Sequence, residues 1–292
     1  MKFSSAHPKT HSPQSQKAAA FTLVEMLVVL VVIGILAAIG LPALKGFGES
    51  NVMAAASRQL KDDISYARQR AINTRSRVWI VFVPPQITDP NYTGILFNPT
   101  NTLEELRLMT NLLGGQYRTY ALYTERHVGD QPGKSSRKYL TDWKTLPEGV
   151  FISTNKFVNV NNDQRMNLFS VTNRPFHYYD TSPFASQKPF VPAFPLAEST
   201  TNFPFGAGIP CIGFNSSGQL ISEAKFTSPP YQDVIIPLSR GSIFYARDRE
   251  GRFIPQPADA QETLSGNNSN NWTRIRVDWL TGRPKIDVPP LL

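Results

Sequence analysis

One carboxylate stands alone in an apolar run. Phe21-Thr22-Leu23-Val24-Glu25-Met26-Leu27-Val28-Val29-Leu30 opens a hydrophobic stretch that lasts to Leu44, and Glu25 is its only charge. A carboxylate near the middle of a bilayer costs about 2.5–3.5 kcal/mol on insertion scales, so a lone one in such a segment marks function. Glu25 lies one helical turn from Phe21, where a polar leader ending Lys17-Ala18-Ala19-Ala20 gives way to the apolar run. Were the chain cut before Phe21, the new amine and the Glu25 carboxylate would neutralise each other, within one chain or between staggered neighbours.

The elements that must hold this pair are legible from hydropathy. Phe21 to Leu44, at 1.5 Å per residue, is long enough to span a hydrocarbon core about 30 Å thick. A conventional secretory signal has a shorter apolar region followed by small residues, whereas here the small residues come first. Lys2, Lys9 and Lys17 with no acid keep the leader cytoplasmic and direct the rest outward. Beyond the anchor, Met53, Ala56, Leu60, Ile64, Ala67 and Ala71 recur at helical spacing, with Arg58, Lys61, Asp62, Ser65 and Gln69 opposite. One long helix is therefore expected from Phe21 to about Asn73, softened at Gly46 and Gly48. Arg68, Arg70, Arg75 and Arg77 read as its solvated, dipole-compatible end.

Phe21, Thr22, Leu23, Glu25 and the apolar tail together resemble the class III signal of type IV prepilins and type II secretion pseudopilins. That resemblance implies cleavage between Ala20 and Phe21 by a prepilin peptidase, which also methylates the new amine. It implies an assembly role for Glu25 and places the family's helix-loosening pair at Gly34 and Pro42. Ala20 departs from the family's usual glycine but is also small. The implied partners are the peptidase/methyltransferase, other pilins or pseudopilins, and the inner membrane. The implied location is a single pass with the N-terminus cytoplasmic, the body periplasmic or extracellular, and finally an assembled filament.

The body opens with Val78-Trp79-Ile80-Val81-Phe82-Val83, apolar on both faces and stopped by Pro84-Pro85, which predicts a buried strand. Helix, polar link and strand, with Ile64-Ser65-Tyr66-Ala67-Arg68-Gln69-Arg70-Ala71-Ile72 at the helix end, resemble the H-type minor pseudopilins and FimT-like minor pilins. Thr102 and Glu105 form a candidate capping box for a short helix ending at Gly114-Gly115. Strands are expected at Tyr117–Tyr123, Ile212–Phe214, Val234–Ile236, Ile243–Ala246, Arg274–Trp279 and Lys285–Val288, with a polar loop at Gln261–Asn271. From about 125 to 210 patterning fades into an irregular insertion. Its Pro/Phe-rich stretch, Arg174 to Pro210, reads as cover for the sheet edge or core. The expected fold is α+β: a transmembrane helix continuing into an amphipathic helix packed on an antiparallel sheet. The expected parts are a leader at 1–20, an assembly helix at 21–44, an amphipathic helix at 45–76 and a β-rich body at 77–292.

Catalytic and cofactor chemistry is not expected. His127 and His177 lie far apart, and neither sits in a metal-ligand or nucleophile motif. Asn161-Asn162-Asp163 and Asp248-Arg249-Glu250 read as turns rather than calcium loops. Cys211 is the only cysteine, so no intrachain disulfide is available. The formal charge of +8 falls to +5 without the three leader lysines, a mildly basic mature chain.

That basicity raises a second function class, DNA binding by a minor pilin for uptake; an anchored adhesive surface protein is a third. Gly282-Arg283-Pro284-Lys285 resembles the Gly-Arg-x-Arg pattern of DNA-binding FimT-like minor pilins, with Arg274 and Arg276 nearby. The same residues read as a structural hairpin. A two-residue Thr281-Gly282 turn would set Val277 opposite Ile286, Asp278 opposite Lys285 and Arg276 opposite Asp287, although Thr281 would then need positive φ.

Overall fold

The computed structural model describes residues 22–83, 85–88, 103–124, 126, 129–131, 137–157, 176–178, 210–221, 232–263 and 272–288, with backbone alone at 39–50, 86, 177 and 178. Backbone contacts divide the chain into two units, Met1–Gly48 and Glu49–Leu292. Helix α1 is assigned over Leu23–Thr74 and continues through Pro42.

In the second unit, the outer half of α1 buries the expected stripe. Ala56, Leu60, Ile64, Ala67 and Ala71 are fully buried and Met53 nearly so, while Arg58, Asp62 and Gln69 remain exposed. The stripe packs on β1 (Val78–Phe82), whose residues are all buried. Val78, Ile80 and Phe82 join the core cluster beneath α1. Trp79, Val81 and Val83 join a second cluster with Met109, Leu112 and Leu113 of α2 (Leu103–Leu113). Covering on both faces is why this strand reads as a continuous apolar run instead of an alternation.

The body holds two antiparallel sheets where one was expected, and β1 is a strand of the first. In the first, β1 lies between β2 (Thr119–Thr124) and β7 (Pro210–Phe214). The strands β3 (Lys138–Tyr139) and β4 (Lys144–Thr145) pair with β2, and β6 (His177–Tyr178) pairs with β7. Gly213 stands opposite Trp79, and a Cβ there would collide with the indole. The second sheet centres on β8 (Val234–Phe244), with β5 (Val150–Ile152) on one side and β10 (Thr273–Val277) on the other. β11 (Pro284–Asp287) continues beyond β10, and β9 (Asp259–Glu262) pairs with the far end of β8.

Several expectations change. The strands expected at Val234–Ile236 and Ile243–Ala246 are one strand, because pairing with β10, β5 and β9 in turn carries β8 through its polar middle. β9 occupies the start of the expected polar loop at Gln261. Within the expected irregular insertion, Val150, Phe151 and Ile152 are buried in β5, a run too short to display a period. Phe176 meets the core expectation: its ring stacks on Phe82 at 4.4 Å between centroids. The rest of Arg174–Pro210, together with Thr102, His127 and Asn161-Asn162-Asp163, lies outside the described residues apart from His177, Tyr178 and Pro210. Asp248-Arg249-Glu250 is a turn in which the Asp248 carboxylate accepts from the backbone N–H and guanidinium of Arg252.

A polar clamp completes the attachment of α1. Asp63 is 8% exposed and accepts a hydrogen bond from the Tyr120 hydroxyl at 2.7 Å while pairing with Lys144 Nζ. Gln59 Nε2 donates to Tyr120 Oη and to Thr145 O, both at 3.2 Å. Burial, reinforced by the Asp63 carboxylate, pushes the Tyr120 phenol well above its ordinary value. The helix is thus held by apolar area along its stripe and by directional bonds at one edge. Leu60→Ala should destabilise the full chain by about 2–5 kcal/mol through lost transfer energy and a residual cavity. Denaturant titration in detergent, followed by tryptophan fluorescence, checks this; a negligible shift would mean that the stripe contributes little.

Candidate functional site

The start of α1 is a reciprocal cap. Thr22 N and Thr22 Oγ1 each donate to Glu25 Oε2 at 3.0 Å, and Glu25 N donates to Thr22 Oγ1 at 3.3 Å. This is the Ser/Thr-x-x-Glu capping box, in which two otherwise orphaned backbone donors are satisfied together. Sequence reasoning gave Glu25 only an assembly role. The Thr22-Leu23-Val24-Glu25 spacing was the available signal for the cap. Glu25 Oε1 has no hydrogen bond among the described residues, so one carboxylate oxygen is left for a cation. Ala20 and Phe21 lie outside the described residues.

The rest of the first turns is apolar on every side. Leu23, Val24, Met26, Leu27, Leu30, Ile33 and Leu36 are all exposed in the single chain. A helix that is hydrophobic all round belongs in lipid or among other helices. Among the described residues nothing lies within 4 Å of where a Cβ at Gly34 would stand. Pro42 lies where only the backbone is described. Among the described residues no helix is long and apolar enough to cross a membrane. The described side chains of the apolar run stop at Ala38, short of its end at Leu44.

The second candidate site is the β10–β11 hairpin. Its register is Arg274 with Asp287, Ile275 with Ile286, Arg276 with Lys285 and Val277 with Pro284. The expected pairing is therefore displaced by two residues, which keeps every side chain on its face and replaces the two-residue turn by a longer one. Asp278 decides this. Its backbone N–H donates to Arg283 O at 3.1 Å, its backbone oxygen accepts from Gly282 N at 2.8 Å, and its Oδ1 accepts from Thr281 N and Oγ1 at 2.6 Å. Gly282 takes φ +64, so Thr281 is spared a conformation that a β-branched residue resists. The expected Asp278–Lys285 pair is accordingly not formed.

Two of the four candidate DNA-binding cations, Arg274 and Arg276, turn onto acids, while a third, Lys285, stays exposed near one. Arg276 Nε pairs with Asp287 at 2.8 Å and reaches Asp233 at 3.8 Å. Arg274 Nε lies 3.8 Å from Asp287, and its guanidinium stacks on Trp272 at 3.9 Å. Lys285 lies 3.9 Å from Asp287, and Arg283 is exposed with no ion pair among the described residues. The turn is itself docked: Arg68 Nε donates to Thr281 O, so that part of the supposedly solvated arginine cluster is structural. Among the described residues no group of three or more His, Cys, Asp or Glu could hold a metal ion.

Residues 15–41 match the prokaryotic N-terminal methylation motif. The chain carries a prepilin-type signal. The match contains Ala20, Phe21, Glu25 and Gly34 and ends one residue before Pro42. A prepilin-type signal implies processing by prepilin peptidase and an inner-membrane precursor anchored through its N-terminal helix. No curated protein and no solved structure matches the chain.

The bonds from Thr281 hold the Asp278 carboxyl below its ordinary value of 3.8. Since the folded form is the more acidic, its contribution is present above that ordinary value and fades as pH falls through the folded one. Acid unfolding of Asp278→Ala should therefore lose a small part of its pH dependence below about pH 4. Identical acid profiles for variant and wild type would remove the turn from the stability account.

Proposed function

We propose that the chain is a minor pseudopilin-like subunit of a type II secretion or type IV pilus-like filament, in the manner of H-type pseudopilins. The observation that carries this reading is the prepilin-type signal at residues 15–41, followed by a helix that enters an α+β body. In this reading the peptidase cuts between Ala20 and Phe21 and methylates the amine. The helix then leaves the inner membrane and packs against neighbouring helices. Glu25 neutralises the Phe21 amine of an adjacent subunit and so sets axial register, since an unpaired buried charge is strongly penalised. Gly34 and Pro42 supply the softness that packing demands, and the role is structural rather than catalytic.

Mass spectrometry should find a mature N-terminus at N-methylated Phe21. A start beyond Leu44, or an intact Met1 in assembled material, contradicts the reading. Glu25→Gln preserves an acceptor for Thr22 but removes the charge. It should insert normally, yet its incorporation should fall by about tenfold or more if the lost pair exceeds 1.4 kcal/mol. Normal incorporation would show that the cap, not the charge, is what Glu25 supplies.

Exposed Arg283 keeps the DNA-uptake reading as the alternative. The pairing of Arg274, Arg276 and Lys285 with Asp287 favours a structural hairpin. Arg283→Ala with Lys285→Ala should leave assembly nearly intact; loss of a salt-sensitive DNA affinity in that double variant would instead favour the alternative.

A further inference from the structure

We draw no further inference here: the strongest candidate, the exposed arginine patch at the C-terminal end of α1, where Arg75 and Arg77 lie beside Arg126 and Arg283 follows the turn that Arg68 holds, carries nothing, because nothing in the structure shows which anion covers it and nucleic acid there would restate the alternative already given.

Discussion

Burial of β1 on both faces is the constraint from which the body follows. Val78, Ile80 and Phe82 face the stripe of α1, while Trp79, Val81 and Val83 face α2. Such a strand has no solvent side, so both faces need a layer and both edges need a partner. β2 and β7 supply the edges, and α1 and α2 supply the layers. Gly213 shows how tightly this is packed, because only a residue without Cβ leaves room for the Trp79 ring in the next strand. The stripe of alanines on α1 has a related meaning: small side chains let the helix come close to the sheet.

Charge is placed by what can answer it. Asp63 is tolerated on the buried face of α1 because Tyr120 and Lys144 satisfy both its oxygens. Asp287 draws Arg274 and Arg276 onto itself, which leaves a smaller excess of free positive charge on the C-terminal hairpin. Glu25 differs in that Thr22 engages one oxygen and the apolar turns around it offer nothing further. In an apolar medium that residual demand must be met by a donor or cation from outside the described turns, or removed by protonation.

What the sequence determined by itself was local and periodic. The signal around Phe21 and Glu25 is contiguous, and its chemistry needs only neighbours in the chain. The α1 stripe and the β1 run were legible because period and hydropathy are properties of a single segment, and the short helix before Gly114-Gly115 followed for the same reason. The cap joining Thr22 and Glu25 was equally local, and a four-residue motif could have revealed it.

Tertiary structure decided whatever depends on distant partners. Asp63 sits between Asp62 and Ile64 in a plain polar-apolar pattern, and only the arrival of Tyr120 and Lys144 makes it a buried clamp. Strands as short as β3 to β6 carry no period of their own and exist because β2, β7 and β8 offer edges to pair with. The β10–β11 register was settled by Asp278 bonding and by the docking of Thr281 on Arg68, not by alternation, which is unchanged by a shift of two residues. Periodicity names the face that each segment buries; which partner covers that face is set by contacts between residues remote in the chain.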